Sequence, residues 1–267
     1  MAVPRFDVER FRRLLRTRIL GRNCHAFDVL ASTNSTLYAR GGQGEPEGSI
    51  VLADEQTAGR GQAGKVWLSP PRCNLYVSVL LRPAIAPVQA PLISLLAAVA
   101  LVDTLRQQGV VCGIKWPNDV LIQQRKVAGI LTEMETHHEA VQFVVVGIGV
   151  NVNMPQQALE DRLGPVAHTA TSLRVALGRE VAREELLAAL MQSLEAWYNR
   201  FMTHGETLLQ EAWEARSLMR GRRIRAQTLG ATWEGTAEGI DRTGRLQLRQ
   251  DDSALIALTS AEVRFLD

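Results

Sequence analysis

The sequence is poor in cysteine. Its three cysteines among 267 residues, Cys24, Cys73 and Cys112, lie far apart and form no C-x-x-C pair. A disulfide scaffold needs a dense, even set of cysteines and a zinc ribbon needs closely spaced pairs, so the sequence argues against both. We therefore expect a protein of a reducing compartment, the cytoplasm.

The sequence also lacks a strong charge of either sign and a long apolar run. Its 30 Lys and Arg residues nearly balance 28 Asp and Glu residues, and the net charge is +2. No whole-molecule field therefore demands a nucleic-acid or membrane partner. The first segment, MAVPRFDVERFRRLLRTRIL, has no signal-peptide core, and Asp103 interrupts the longest apolar stretch. We expect neither export nor a membrane span.

Signatures of covalent catalysis are missing as well. No G-x-S-x-G motif occurs, and neither a Ser-His-Asp arrangement nor a cysteine with a neighbouring base is evident. His137 and His138 lie between two strand candidates. Neighbours on a strand point in opposite directions, which disfavours a two-histidine metal site. The chemistry that remains is positioning and electrostatic stabilisation.

The order of helix and strand patterns predicts an α+β fold. Apolar runs typical of strands occupy residues 24–31, 49–56, 74–81, 111–116, 119–123, 126–134 and 141–152. Helical patterns occupy residues 6–19, 87–108, 183–202 and 206–219, and a further helix begins near Ser32. Strands and helices do not alternate strictly, which favours a mixed central sheet flanked by helices over a doubly wound parallel sheet.

The last part of the chain changes character. From about residue 219, short strand patterns are separated by turn residues at Gly230, at 241–244 and at 251–253. This arrangement is typical of a small β domain. We predict two domains, residues 1–217 and 218–267, of which the second is a small β-barrel.

The segment GRGQAGKVW, residues 59–67 and called the glycine loop below, fits two phosphate-binding patterns. The triphosphate loop needs Ser or Thr after its Lys, but Val66 stands there, and consecutive prolines prevent the helix that both patterns require. Two cations, Arg60 and Lys65, remain on a loop whose backbone can approach an anion closely. The alternative is an exposed hairpin loop with incidental charges.

A second cluster surrounds the turn KWPND. Lys115, Asn118 and Asp119 are followed closely by Lys126. Two amines beside a carboxamide and a carboxylate suit the binding of phosphate oxygens and the positioning of Mg²⁺. A plain hairpin turn is the alternative. Asn151, at the end of an apolar strand, is suited either to reading a purine edge or to closing a turn.

Six motifs, taken in order, resemble those of the biotin protein ligases: STN (32–34), DEQTAGRGQAGKVW (54–67), NLYVSVLLRP (74–83), KWPNDV (115–120), RKVAGILTE (125–133) and GIGVNVN (147–153). The resemblance implies a catalytic fold similar to that of class II aminoacyl-tRNA synthetases and an SH3-like C-terminal domain. It also implies a two-step reaction, in which biotin and ATP form biotinyl-5′-AMP and a lysine of a biotin carboxyl carrier domain then displaces AMP. The substrates supply both nucleophiles, which agrees with the missing covalent catalyst.

The resemblance also implies roles for individual residues. Lys126 and Arg60 are the expected catalytic residues, which stabilise charge at the α-phosphate. The expected biotin-binding residues are Ser32, Thr33, Asn34, Gln56, Arg60, Gly61, Gln62 and Lys126. The expected residues for ATP and the adenylate are Arg60, Lys65, Trp67, Lys115, Asn118, Asp119 and Asn151. Asp119 is also the expected ligand of Mg²⁺.

The sequence departs from the family pattern at one informative position. The glycine loop usually reads G-R-G-R, and Gln62 replaces the second arginine. Charge-assisted bonds to phosphate are about twice as strong as neutral ones. We therefore expect biotinyl-5′-AMP to be released somewhat faster than from a protein with arginine at this position.

The expected partners are a biotin carboxyl carrier protein, biotin and ATP, with no nucleic acid and no membrane. Only 31 residues precede Ser32, fewer than the roughly 60 that a winged helix-turn-helix needs, so we expect no DNA-binding domain. We expect a monomer or a homodimer. The alternatives are a lipoate or octanoate attachment enzyme and a non-catalytic biotin-binding regulator.

Overall fold

The computed structural model describes residues 5–228 and 230–266, so residues 1–4, 229 and 267 of the two predicted domains lie outside the described residues. Its larger sheet has seven strands in the order β1-β2-β3-β7-β6-β5-β4. These strands are β1 (Cys24–Leu30), β2 (Ile50–Gln56), β3 (Leu75–Leu81), β4 (Gly113–Lys115), β5 (Asp119–Ile122), β6 (Arg125–His137) and β7 (Ala140–Val150). β1 and β2 are parallel and the other neighbours are antiparallel, which confirms the predicted mixed sheet.

Helices cover both faces of this sheet. They are α1 (Val8–Leu14), α2 (Thr33–Gly42), α3 (Ala90–Gln107), α4 (Gln156–Leu163), α5 (Leu173–Leu177), α6 (Arg183–His204) and α7 (Glu206–Glu214). All seven residues of β3 are buried, as expected for a central strand that is covered on both sides. α2 packs with Leu80 and Phe143 in one small core, and α3 and α6 belong to the main core.

The apolar helix α3 is a core element. Within the described residues, Pro87–Gln107 is the one helical stretch whose length and composition would suffice to cross a membrane, and most of it is buried inside the protein. Fourteen of its residues are buried, from Ala90 to Leu105. Burial of this kind is typical of the central helix of a two-layer domain.

The C-terminal part forms a five-stranded antiparallel sheet in the order β11-β10-β9-β8-β12. Its strands are β8 (Arg223–Gln227), β9 (Thr232–Ile240), β10 (Leu246–Arg249), β11 (Leu255–Leu258) and β12 (Glu262–Phe265). The sheet packs against the larger part through Trp116, whose Nε1 donates to the Gly244 carbonyl oxygen at 2.9 Å. The predicted α+β fold with a small C-terminal β domain is confirmed.

Three sequence expectations need correction. The helix predicted over residues 206–219 ends at Glu214, because Ser217 forms a β-bridge with Ile114. The first helix ends at Leu14 rather than at residue 19, because Leu15 is extended. Residues 154–182, to which no element was assigned, contain α4 and α5. A sequence signal for α5 existed, since the Ser172 side chain accepts from the Val175 backbone N–H at 3.2 Å, as an N-cap residue does.

Candidate functional site

A cleft of about 1080 Å³ opens between the larger sheet, the glycine loop and the C-terminal sheet. All fourteen site residues expected from the sequence line it: Ser32, Thr33, Asn34, Gln56, Arg60, Gly61, Gln62, Lys65, Trp67, Lys115, Asn118, Asp119, Lys126 and Asn151. The motifs are far apart in the chain, so the fold gathers them at one place. The roles expected for the individual residues stay predictions.

Thr33, Asn34 and Gln56 line one side of the cleft, and they hydrogen-bond to the buried hydroxyl groups of Ser69 and Ser78, which do not line it. These five residues are here called the amide wall. The α2 helix begins at Thr33, so its first backbone N–H groups have no partner within the helix. Gln56 Oε1 accepts from the Thr33 N–H at 2.8 Å, and Gln56 Nε2 donates to Ser69 Oγ at 2.9 Å.

Asn34 is the most constrained residue of the amide wall. Its Oδ1 accepts from Ser78 Oγ at 2.6 Å, and its Nδ2 donates to the Leu131 carbonyl oxygen at 3.1 Å and to Glu133 Oε2 at 2.9 Å. A Cβ atom on Gly147 would lie 2.1 Å from Asn34 Oδ1, so only glycine allows this approach. Both amide N–H groups are engaged, and Asn34 therefore holds the wall in shape rather than offering a free donor.

The β2 strand, whose last residue Gln56 lines the cleft, is held in place by a buried ion pair. The Asp54 carboxylate pairs with Arg183 of α6, Nη1 to Oδ1, at 2.6 Å, and both side chains are buried. The Phe6 backbone N–H also donates to Asp54, to Oδ2 at 3.3 Å. A buried ion pair with additional hydrogen bonds restricts local geometry. The end of β2 and the start of the glycine loop are thus held at a defined position.

The glycine loop forms a tight turn without a following helix. The Gly61 N–H donates to the Lys65 carbonyl oxygen at 2.6 Å, and the Trp67 N–H donates to the Gly59 carbonyl oxygen at 2.9 Å. Both expected cations of the loop line the cleft. Arg60 Nη2 lies 2.7 Å from Glu133 Oε2, and Lys65 Nζ lies 3.0 Å from Glu262 Oε2 of the C-terminal sheet.

Trp67 lies flat against the sheet at the floor of the cleft. A Cβ atom on Gly149 would lie 2.6 Å from the indole, and one on Gly129 would lie 3.1 Å from it. These two glycines, on neighbouring strands, allow the ring to approach the sheet. Lys126 Nζ lies 5.3 Å from the centroid of the Trp67 ring, within the range of a cation–π contact. The indole thus forms an aromatic surface beside an ammonium group.

The other side of the cleft is here called the cationic wall and consists of Arg60, Lys65, Lys115, Asp119 and Lys126. Lys115 and Asp119 face each other in the β4–β5 pair, and Lys126 Nζ lies 2.5 Å from Asp119 Oδ1. Burial lowers the pKa of Lys115, the Lys126 charge lowers it further, and Asp119 opposes the shift. These groups form a cluster of amines around one carboxylate.

The cleft as a whole carries an excess of positive charge. Six of the described lining residues are Lys or Arg: Arg60, Lys65, Lys115, Lys126, Arg162 and Arg264. Two of the described lining residues, Asp119 and Glu262, are carboxylates. A concave surface with such an excess attracts anions.

Two expected contact residues have structural partners. Asn118 Nδ2 donates to the Ile130 carbonyl oxygen, and the Ile130 N–H returns a bond to the Asn118 carbonyl oxygen at 3.1 Å. Asn151 Nδ2 donates to the Thr171 carbonyl oxygen at 3.1 Å. Both asparagines are buried, and their amides connect the turn and the strand end to neighbouring segments. The sequence could not distinguish this use of an amide from ligand recognition.

Sequence reasoning missed several residues of the site. Ser78 and Glu133 gave weak signals as polar residues within apolar strands. Glu262 comes from the C-terminal sheet, and nothing in the sequence connects it with Lys65. Arg162 and His168 line the cleft from the segment around α4, which had no predicted structure.

Among the described carboxylates that line the cleft, Asp119 is suited to hold a Mg²⁺ ion that is also bound by the phosphates of a substrate. In the part of the chain that the structure describes, no three His, Cys, Asp or Glu residues are grouped as a metal site. Asp119 and Glu262 line the cleft, but each is paired with a lysine. His137 and His138 are exposed, and the expectation that they point in opposite directions is wrong, because His138 lies in the β6–β7 turn with a φ of 53° and the two ring centroids are 4.2 Å apart. Mg²⁺ commonly uses one or two carboxylates together with substrate phosphates, and Asp119 fits that pattern.

The sequence is similar to those of known biotin protein ligases. Residues 26–151 match the biotin/lipoate A/B protein ligase family, and residues 221–266 match the biotin protein ligase C terminal domain. The bifunctional ligase/repressor BirA of Bacillus subtilis is 39% identical over 239 residues, which cover 89% of this chain and 73% of that protein. The biotin–[acetyl-CoA-carboxylase] ligase of Paracoccus denitrificans is 39% identical over 221 residues, covering 80% of this chain and 89% of the relative.

Solved structures resemble the whole described fold. The biotin protein ligase of Aquifex aeolicus in complex with biotin and ATP superposes with a TM-score of 0.76 at 25% identity. The match covers 91% of this chain and 99% of that one. The two sheets of the present chain therefore have counterparts in one known architecture.

Proposed function

This chain belongs to the biotin/lipoate A/B protein ligase family, and we propose that it is an ATP-dependent ligase that biotinylates a biotin carboxyl carrier protein. The reaction passes through biotinyl-5′-AMP and ends on a specific lysine of the carrier domain. The observation that carries the proposal is the meeting of the amide wall and the cationic wall in one cleft. A neutral, hydrogen-bonded pocket beside an excess of cations suits a ureido ring next to a polyphosphate.

In the first step, a biotin carboxylate oxygen attacks the α-phosphorus of ATP, the bond to the β-phosphate oxygen breaks, and pyrophosphate leaves. Negative charge accumulates on the non-bridging oxygens of the α-phosphate. Lys126 and Arg60 neutralise this charge from the cationic wall. Fixed charges that are already in place are worth far more in such a cleft than in water, because no solvent has to reorganise.

In the second step, the carrier lysine attacks the acyl carbon of the mixed anhydride and the carbon–oxygen bond to AMP breaks. The amine loses a proton and AMP departs with the electron pair. The protein needs no nucleophile of its own, because each substrate brings one. Alignment of the reactants can contribute roughly 7–11 kcal/mol to such a reaction.

Mg²⁺ is part of the proposal and supplies charge neutralisation of the polyphosphate. Asp119 is the residue that would hold it, and the ammonium group of Lys126 now occupies that carboxylate at 2.5 Å. The cluster therefore has both the anion for a metal and the cation for a phosphate. Removal of divalent cations with EDTA is expected to stop adenylate formation, which a coupled pyrophosphate assay measures.

The experiment that tests the proposal is ATP–pyrophosphate exchange with biotin, lipoate and octanoate as alternative acids. Exchange that depends on biotin supports the proposal, and exchange that depends on lipoate or octanoate overturns it in favour of the attachment enzymes of the same family. Binding of biotin without exchange and without labelling of a carrier domain would identify a non-catalytic regulator.

Further properties remain proposals. We propose the carrier protein of acetyl-CoA carboxylase as the acceptor, since relatives at 39% and 35% identity carry that enzyme in their names. A cytoplasmic location and a monomeric or homodimeric state stay predictions. Size-exclusion chromatography with light scattering measures the oligomeric state directly.

A further inference from the structure

One carboxylate, Glu133 of β6, joins the two walls of the cleft. Its Oε2 atom accepts from Asn34 Nδ2 at 2.9 Å and from Arg60 Nη2 at 2.7 Å. Asn34 belongs to the amide wall and Arg60 belongs to the cationic wall. A single oxygen atom therefore connects the pocket expected for biotin with the glycine loop.

Glu133 supports Arg60 from behind. Arg60 lines the main cleft, whereas Glu133 lines a smaller neighbouring cavity of about 270 Å³. A guanidinium group has five N–H donors in a planar fork, and Glu133 Oε2 takes one of them. The remaining donors are available to a phosphate, so Glu133 does not compete with a ligand for the cleft.

The carboxylate is itself held on a rigid base. Asn34 is fixed by Ser78 and by the Leu131 carbonyl oxygen, and it packs against Gly147. The Glu133 side chain is 27% exposed and that of Arg60 is 45% exposed. The less exposed Glu133 thus holds the more exposed Arg60. This contact reduces the conformational entropy that the Arg60 side chain loses when it binds a phosphate.

Building on the proposed function, we propose that Glu133 is a positioning residue, which holds Arg60 in the orientation that meets the adenylate phosphate and keeps the glycine loop closed. Glu133 acts through Arg60 and touches neither reacting atom. Loss of its charge therefore loosens the loop before any substrate binds and allows the bound intermediate to escape faster.

The same strand provides a matched control. Glu135 lies two residues further along β6 and pairs with the Tyr38 hydroxyl group, and it lines neither cavity. Glu133→Gln and Glu135→Gln make the same chemical change on one strand, and glutamine keeps an oxygen that can accept from Asn34. Glu133→Asp retains the charge on a shorter side chain and tests rescue.

The first experiment needs no activity. Trypsin cleavage after Lys65 in the ligand-free protein reports opening of the glycine loop, and mass spectrometry follows the peptide. Glu133→Gln is expected to accelerate this cleavage roughly two- to five-fold, the range for a half-exposed ion pair, and Glu135→Gln is expected to leave it unchanged. Equal cleavage in Glu133→Gln and wild type would overturn the proposal.

The second experiment is a double-mutant cycle on the release rate of biotinyl-5′-AMP in the absence of a carrier domain. Glu133→Gln alone is expected to increase release by a similar factor. In the Arg60→Ala background it is expected to add nothing, because Glu133 acts through Arg60. Full additivity would contradict this mechanism, as would failure of Glu133→Asp to recover part of the loss.

The two experiments separate two kinds of failure. If the wild-type protein forms no biotinyl-5′-AMP, the proposed function fails, and the trypsin experiment still decides whether Glu133 holds the loop. If the adenylate forms and the cycle is additive, the proposed function stands and the role of Glu133 falls.

Discussion

The two walls of the cleft differ in how complete they are without a ligand. On the amide wall, Thr33 and Asn34 are almost fully buried, and their polar atoms bond to one another and to the strand backbone. On the cationic wall, the side chains of Lys65 and Lys126 remain 64% and 35% exposed, and cations exceed carboxylates along the cleft. The polar groups of the amide wall are already hydrogen-bonded within the protein, whereas the cationic wall retains an excess of positive charge.

This difference agrees with the ligand proposed for each wall. A neutral ring is recognised by shape and by hydrogen bonds, and a preformed pocket avoids the entropy of ordering side chains at binding. A polyphosphate brings its own charge, so its site can be left with excess cations that the ligand then neutralises. We therefore expect substitutions on the two walls to affect different substrates.

The largest expected effect comes from the cationic wall. Lys126→Ala is expected to slow formation of biotinyl-5′-AMP about 10²- to 10³-fold, the typical loss of one preorganised charge donor at a reacting centre. Single-turnover assays with α-labelled ATP measure this rate. Arg125→Ala serves as the control, because Arg125 is an adjacent cation that does not line the cleft. Equal rates for Lys126→Ala and wild type would remove Lys126 from its expected role.

Substitutions at two neighbouring glycines test whether the two sides of the cleft bind different substrates. Gly147 and Gly149 lie on β7, and an added Cβ would meet Asn34 Oδ1 at 2.1 Å in the first case and the Trp67 indole at 2.6 Å in the second. Overpacking costs about 1–3 kcal/mol, so we expect changes in KM of roughly ten-fold. Gly147→Ala should raise the KM for biotin, and Gly149→Ala should raise the KM for ATP.

The control for this pair is Gly42→Ala, since a Cβ there meets nothing within 4 Å. It is expected to leave both KM values unchanged. If Gly147→Ala and Gly149→Ala raised both KM values equally, the placement of biotin beside Asn34 and of ATP beside Trp67 would be wrong.

A smaller effect is expected at Gln62. Gln62→Arg restores the cation that the family pattern has at this position, and a charged donor binds phosphate about twice as strongly as a neutral one. We expect release of biotinyl-5′-AMP to slow a few-fold, and Gln62→Met, which removes the donor, to accelerate it. Filter binding with labelled adenylate measures both. An unchanged release rate in Gln62→Arg would show that Gln62 does not cause faster release of biotinyl-5′-AMP.

The smallest effect concerns stability. Because burial lowers the pKa of Lys115, the unfolded chain binds more protons than the folded one between that lowered pKa and the ordinary value of 10.5, so stability rises with pH across this range. The Lys115 charge therefore costs stability at neutral pH, and this cost disappears as the pH rises toward that value. Lys115→Met is expected to raise the Tm at pH 7 by about 2–4 °C, equivalent to about 1 kcal/mol.

Differential scanning fluorimetry at pH 7 and near pH 10 checks this sign. The gain in Tm should shrink at the higher pH. A lower Tm at pH 7 for Lys115→Met would show that the ammonium group stabilises the fold.

Much of this arrangement could be predicted from sequence, because local patterns place most of the motifs. Strong apolar runs defined β2, β3 and β7, and the resemblance to the biotin protein ligases named the fourteen residues that line one cleft. The use of each polar group was harder to predict. Asn34, Asn118 and Asn151 bond to carbonyl groups of distant segments, and such long-range partners leave no local signal.

The C-terminal contribution shows the same limit. Lys65 and Glu262 are 197 residues apart in the chain, and their contact exists only because the two sheets pack together. The helix α4 carries few apolar residues and α5 has only five residues, so neither shows a clear helical period. The segment that lines the cleft around Arg162 therefore stayed unassigned. Tertiary packing, rather than helix or strand propensity, determines these features.

The most direct test of the account is transfer of labelled biotin to a purified biotin carboxyl carrier domain with ATP and Mg²⁺. The account predicts stoichiometric labelling of one carrier lysine that requires ATP, and no labelling when that lysine is replaced by arginine. A carrier domain that stays unlabelled after incubation with the wild-type protein, biotin and ATP would contradict it.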